Sequence, residues 1–463
     1  MSAFLPLSPR KKKVYVSAFG EADGSVSGNA GGFSYADRCV GFDPSDGELK
    51  SAEDFIPLSL PFGFGERKAS ALYFYKRTDD VTGRDDRLIF FCDDGALYEA
   101  PADGGTLRKI GETLFPSPPV GIRYRYNGED VMLFSGREEG LWIYDGKSMT
   151  EVGGAPAVSS MCIHYERLFA TDVGGDCLWF SDDFDPANWS VSLDEAGFIL
   201  MSGSRGELLR VVSFFDSLYV FRRYGVTRVT AYAEQTKFSV SDLYVSSGKI
   251  DGDSIVTCGD CILYAASDGF YRFDGSSATR ILAGLKGKVD FSRPISGRYF
   301  DGKVFFSVFL ADGSGKHFLV YDVKTRKHHF VSAQKCVAYE IIDGESVYDL
   351  YLLDDGGERI YHPGKGKSFG EDAVREWRSK ESSFALLAPG KCLYSLSFRL
   401  KGKVTATVSA DGEDRSFPCE GDGDVVVLRP RLVGDGFRVS FSGTGEISLS
   451  GLSLVFHYYG GNA

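Results

Sequence analysis

Cys258-Gly259-Asp260-Cys261 is the sharpest chemical motif in the chain. A dithiol of this spacing serves redox exchange when it opens a helix beside a parallel sheet, because the helix N-terminus lowers the thiol pKa. Here Val256 precedes it and Ile262 follows, which places both thiols around a turn between strands. Half a zinc site would need two further ligands, and no second Cys or His pair has suitable spacing. The motif reads as two small residues flanking a β-turn. His328-His329 stand consecutively on an apparent strand, so their side chains point to opposite faces and cannot chelate one metal. Their neighbours Lys324, Arg326 and Lys327 make a basic edge that reads as solvated rather than ligand-binding. His164, His317, His362 and His457 are scattered, and a Ser-His-Asp set, which assembles in space, stays open on spacing alone.

Carboxylates are abundant, and a pair of them could hydrolyse a glycoside. Most Asp residues here precede Gly, where Asp serves turn geometry by bonding its own backbone. Glu420-Gly421-Asp422-Gly423-Asp424 lacks the loop order and closing Glu of a calcium site and reads as an acidic hairpin. Ser181-Asp182-Asp183-Phe184-Asp185 with Trp189 comes near the sialidase pattern Ser-x-Asp-x-Gly-x-x-Trp, but Phe184 and Asp185 stand where glycine is needed. No phosphate-cradling glycine loop is visible. Exposed aromatics could stack on sugars, although Tyr and Phe at alternate strand positions are ordinarily core. The sequence thus names no catalytic, cofactor-binding or metal-binding residue, and no cofactor is expected.

The elements that would position any site are strands. The chain has 463 residues, 43% hydrophobic and 14% aromatic, with 56 glycines. That excludes disorder, and the glycines have no three-residue period, which excludes collagen. A net charge of −12 argues against a general nucleic-acid binder, which needs a basic footprint to displace counterions, and against an anionic membrane surface. Arg10 to Lys13 are basic, but no apolar stretch follows, so no signal peptide is expected. The longest apolar runs are strand length, too short to span a bilayer. Nine cysteines without framework spacing read as buried thiols in a reducing compartment, and a soluble, cytoplasmically made protein is expected.

Helical periodicity is nearly absent; Glu371 to Trp377 and Pro186 to Trp189 could form a turn or two. Elsewhere an apolar strand repeatedly leads through an acidic or Gly-containing turn into a strand that begins with an apolar residue, usually paired with an aromatic one. Leu88–Cys92 leads to Leu97-Tyr98, Val131–Phe134 to Leu141–Tyr144, and Leu168–Ala170 to Leu178–Phe180. Leu218–Phe221 leads to Val226, Ile262–Ala265 to Phe270–Phe273, Val304–Val308 to Phe318–Tyr321, and Leu350–Leu353 to Ile360-Tyr361. The turn glycines 95, 140, 175, 225, 269, 313 and 356 are spaced 35 to 50 residues apart. That period belongs to propeller blades of four strands, whose radial stacking buries both faces of each unit. The fold expected is all-β: an irregular propeller over residues 1–370, then an antiparallel β-sandwich over 371–463. Phe33 to Lys50 holds one more hairpin, either an eighth blade or closing strands within an N-terminal segment 1–60. Seven blades are expected. After Trp377, Tyr394–Leu400, Val404–Val408 and Phe437–Phe441 alternate as half-buried strands do, which suits a sandwich.

Arg167–Ala170, Leu178-Trp179-Phe180-Ser181-Asp182, Asp185-Pro186 and Trp189 together resemble a pattern of β-rich virion proteins of tailed phages and prophages. Leu218–Gly225, Asp268–Gly275 and Gly443–Leu452 are similar to further hairpins of those proteins, so the resemblance spans roughly residues 120 to 455. The class it points to is the propeller-containing neck and tail-hub proteins, including the packaged-DNA stabilisation proteins of short-tailed phages. The resemblance implies a non-enzymatic virion component that seals or extends the portal vertex in a symmetric ring, assembled in the host cytoplasm. Its implied partners are other virion proteins (portal, adaptor or tail components), with packaged DNA only a passing neighbour and no membrane. Two other readings stay open: a carbohydrate-binding receptor module with aromatics on its loops, and a glycosidase.

Overall fold

The computed structural model describes residues 9–27, 35–60, 62–79, 83–191, 196–232, 234–344, 347–384, 386 and 390–459. The protein is all-β, and among the described residues the only helical segments are single 3-10 turns. The segment Glu371 to Trp377, expected as a helical turn, instead runs into a strand, Val374–Ser379. Its alternation of buried Arg375, Trp377 and Ser379 with more exposed neighbours is the two-residue period of a strand.

Six four-stranded antiparallel sheets follow one another as propeller blades. A seventh meander, Ser296–Phe300 through His328–Ser332, has the same four-strand form but ends a fourteen-stranded sheet. Each hairpin read from the sequence is the second and third strand of one such unit. Those strands are buried on both faces, as Cys261–Ala266 is throughout, so they appear as unbroken apolar runs. First strands lie innermost and pack in sequence around the ring. Val158–His164 touches Val120–Tyr126 and Leu208–Phe214, and Ser296–Phe300 touches Val256–Cys258 and Cys336–Asp343. Cys336–Asp343 then touches Ala69–Tyr75, which closes the circle. The approach is tight: a Cβ on Gly121 would lie 2.9 Å from Tyr73, and one on Gly297 2.6 Å from Val256 of the preceding blade.

The N-terminal segment divides differently from the expected propeller assignment. Asp54–Pro57 completes a blade, pairing with Ile360–Gly364 as the outer strand of the last one. Arg10–Tyr15 instead pairs with Ser448–Tyr458, Ala36–Val40 with Val374–Ser379, and Leu49–Ser51 with Ser448–Tyr458. The Asp46-Gly47 hairpin therefore belongs to the C-terminal sheet and makes no eighth blade; Phe33 and Ser34 lie outside the described residues. A strand from before the first blade thus completes the last one, so first and last blades are tied without a covalent link.

The C-terminal region is organised by Lys391–Ala410, a 20-residue strand that pairs with Glu413–Leu428 on one side and with Ser448–Tyr458 and Phe437–Thr444 on the other. Trp377, Phe19 and Phe441 fill its interior, with Phe19 edge-on to Trp377 at 5.0 Å, the geometry aromatic quadrupoles favour. Val40 pairs in parallel with Phe330, which joins this sheet to the seventh meander.

Candidate functional site

Cys258 and Cys261 face each other across the two-residue turn Gly259-Asp260. Both are buried and all nine cysteines are free thiols; the hydrogen bond between the pair and burial push the Cys258 thiol up, while the same hydrogen bond and the Arg272 charge bring Cys261 down. His328 and His329 are buried. His328 Nε2 lies 3.1 Å from the Ala22 carbonyl and His329 Nε2 3.3 Å from Glu53. They clamp the N-terminal segment from opposite faces of their strand, while Lys324 and Arg326 are exposed. Glu420, Asp422 and Asp424 lie along an extended strand, and no metal-holding group of His, Cys, Asp or Glu occurs among the described residues.

One motif escaped the sequence reading. Gly366-Lys367-Ser368-Phe369-Gly370 has the Gly-x-Ser-x-Gly form of a hydrolase elbow, which requires a strand-to-helix turn. Here a strand follows, and Ser368 Oγ accepts from the Phe55 N–H at 3.2 Å. It docks the closing strand. Near the propeller axis, Arg298 pairs with Glu340 at 3.2 Å and Arg123 grips Asp343 at 2.6 and 3.1 Å. Burial would raise the Asp343 pKa, but the Arg123 hydrogen bonds and charge hold it low. Such paired carboxylates bind inner strands together and are poorly suited to shuttle protons.

The features that packing leaves unexplained lie on one face of the propeller. Five successive blades join their first and second strands by two-residue turns: Asn127-Gly128, Tyr165-Glu166, Phe215-Asp216, Gly259-Asp260 and Asp301-Gly302. The first residue of each has positive φ, 52° at Asn127, 51° at Tyr165, 50° at Phe215, 62° at Gly259 and 47° at Asp301. Asn, Asp and Gly tolerate that region, whereas a bulky side chain there costs about 1–2 kcal/mol. Tyr165 and Phe215 carry that cost while 48% and 69% exposed, so burial does not offset it.

Two more aromatics join them. Phe184, at φ 57° and 74% exposed, donates its N–H to the Glu166 carbonyl at 2.8 Å. The Asp-box-like loop that carries it is built structurally: Asn188 donates to Asp182 at 2.9 Å and Trp189 is buried, donating to the Pro186 carbonyl at 2.8 Å. Tyr232, 65% exposed, meets Tyr165 edge-on at 5.5 Å. Beneath Tyr165, His164 is buried with its ring 4.4 Å away, its Nδ1 2.8 Å from Ser213 Oγ and its Nε2 without a hydrogen-bond partner among the described residues. Burial pushes its pKa down. Sequence periodicity could not reveal this group, because its members occupy turns and never share one strand.

No family model and no curated protein matches the chain. Solved structures do resemble it in fold. The BBS1N chain of a BBS1N–ARL6DN complex is 13% identical, with 68% of this chain and 96% of that one covered at a TM-score of 0.43. BamB from Moraxella catarrhalis is 12% identical over 67% and 94% at 0.40. The extracellular domain of BT4673 from B. thetaiotaomicron is 10% identical over 85% and 59% at 0.46. At such identities and scores, none of the three carries a function to this chain.

Proposed function

We propose that the protein is a non-enzymatic structural component of a phage or prophage particle, at the head–tail neck, portal vertex or tail hub. It works through protein–protein contacts in a symmetric ring, with other virion proteins as partners. The observation that favours this reading is a four-stranded layer with two open edges of opposite charge. Val14 pairs with Leu454, Leu454 with Leu396 and Leu396 with Leu428, so one row crosses the whole layer. Among the described residues its outer strands, Arg10–Tyr15 and Glu413–Leu428, pair on one side only.

One edge carries Arg10, Lys11, Lys12 and Lys13. The other carries Glu413, Asp414, Glu420, Asp422 and Asp424 against Arg415 alone. Asp414, Asp422 and Asp424 are exposed and form no ion pair among the described residues. At 16 residues the acidic edge is far longer than the short edge strands with which proteins avoid unwanted pairing. A basic edge that meets an acidic edge on the next copy is a heterologous contact, the kind that generates rings or filaments.

Mass photometry and electron microscopy of the full chain are expected to show ring-shaped oligomers. Lys11→Glu with Lys13→Glu should weaken self-association at least tenfold, and adding Asp422→Lys with Asp424→Lys in the same chain should restore it. Immunogold labelling of particles from an induced culture of the source strain should mark one vertex or tail region. Unlabelled particles beside soluble protein would sink the virion reading. The strained aromatic group favours a second role, carbohydrate binding.

A further inference from the structure

We propose that Tyr165, Tyr232, Phe184 and Phe215 form a binding platform for an oligosaccharide, with Glu166 and Asp216 as acceptors for its hydroxyls. The proposal stands apart from the ring contact, which lies in a different sheet. Its first support is the comparison between blades. A turn that needs only to reverse the chain uses Asn127-Gly128 or Asp301-Gly302, which accept positive φ without strain. Of the three blades between those, one has Gly259 at this place, and the other two have Tyr165 and Phe215, exposed and strained. Strain that neither burial nor local geometry repays is a mark of sites shaped for something outside the chain.

The chemistry of the group selects the ligand. A pyranose presents a face of C–H bonds whose hydrogens are slightly positive, matched by the negative π-face of an aromatic ring. Tyr165 and Tyr232 lie at 74° to each other, so they offer two differently oriented surfaces. Asp216 is exposed and Glu166 half-buried, each one residue from a platform ring. Carboxylates accept hydrogen bonds from sugar hydroxyls, and their charge disfavours the phosphates of a nucleic acid. Beside the platform lies a groove of about 410 Å³ lined by Tyr126, Asp145, Thr150, Glu151 and Ala187. Ala187 belongs to the loop that presents Phe184, so the groove offers further polar contacts to a longer chain. Two-residue turns hold Tyr165 and Phe215 in place, which limits the ordering cost of binding.

The test is calorimetric titration of the full chain with chitohexaose, cellohexaose, maltohexaose, xylohexaose and dextran oligomers. At least one should bind saturably. Tyr165→Asn with Tyr232→Ser should weaken that binding at least tenfold, and Asp216→Asn should weaken it several-fold. Tyr165→Asn copies the turn of the neighbouring blade, so its melting temperature should hold or rise; a structural ring would lower it. Tyr165→Phe should retain binding within about threefold, which separates loss of the ring from loss of the fold. No binding across the series up to 20 mM overturns the proposal, as does binding that survives removal of both tyrosines. Loss of incorporation into particles by the double variant, without sugar binding by the parent, would instead make this face a protein-docking surface.

Discussion

Replacing Arg375 by methionine is expected to destabilise the protein by about 3–5 kcal/mol, the cost of leaving one partner of a buried ion pair alone. Arg375 and Asp54 have side chains 1% and 4% exposed and share two hydrogen bonds, at 2.9 and 2.8 Å. The guanidinium also donates to the carbonyls of Gly41 at 2.8 Å and Gly445 at 2.6 Å. These partners sit on separate elements. Asp54 begins the strand that closes the last blade, Gly41 lies in the N-terminal segment, and Gly445 precedes the final strand. A Cβ on Gly41 would lie 2.9 Å from the Val374 carbonyl, so the chain passes there too closely for any other residue. The urea midpoint of Arg375→Met reports the loss, and hydrogen exchange should show Asp54–Pro57 opening before the inner strands. Adding Asp54→Leu removes the stranded charge and should recover most of the deficit. A single variant that costs under 1 kcal/mol would show that the joint between propeller and C-terminal sheet is held elsewhere.

That joint also marks where sequence reading ends. The central hairpins were legible because burial on both faces makes Leu88–Cys92 or Ile262–Ala265 an unbroken apolar run between turn residues. Inner and outer strands were not, since Val120–Tyr126 and Ala278–Ile281 are only partly buried and blend into loops. The destination of the N-terminus was hidden for a different reason. Arg10 to Lys13 look like a solvated tail, and only the partner strand, more than 400 residues away, makes them a sheet edge. Local pattern reports how a segment is buried, not by which distant segment. The candidate site was harder still. Tyr165 and Phe215 announce themselves through positive φ, which no residue type reveals, and their equivalence shows only once the blades are superimposed in register. At His328-His329 the strand alternation placed the two rings on opposite faces, but did not show that both are buried, against Glu21, Ala22 and Glu53.

Those buried histidines carry the second large expectation, a loss of stability between pH 7.5 and 5.5. Burial pushes the pKa of His164, His317 and His328 below the ordinary value. The unfolded chain therefore takes up protons near pH 6.5 that the folded chain refuses, and stability falls as pH drops through that value. It is fully present above pH 6.5. Each histidine can cost about 1.4 kcal/mol across this interval, so the three together can cost up to about 4 kcal/mol. Their surroundings explain why protonation is resisted. His164 has a buried Nε2 with no partner among the described residues, although Glu166 and Asp216 lie near enough to favour the charge. His317 donates its Nδ1–H to the Gly315 carbonyl at 3.1 Å, with Arg38 opposing a second positive charge and Asp312 favouring it. His328 faces Glu21, Asp23 and the Ala22 carbonyl, with His329 beside it. Carboxylates held low by their partners, such as Asp37 and Asp343, withhold protons only below about pH 4 and leave this window to the histidines. Denaturant midpoints at pH 7.5 and 5.5 measure the effect, and His328→Gln should flatten the slope. Equal midpoints at the two pH values would mean that these imidazoles bind protons as readily in the fold as in the unfolded chain.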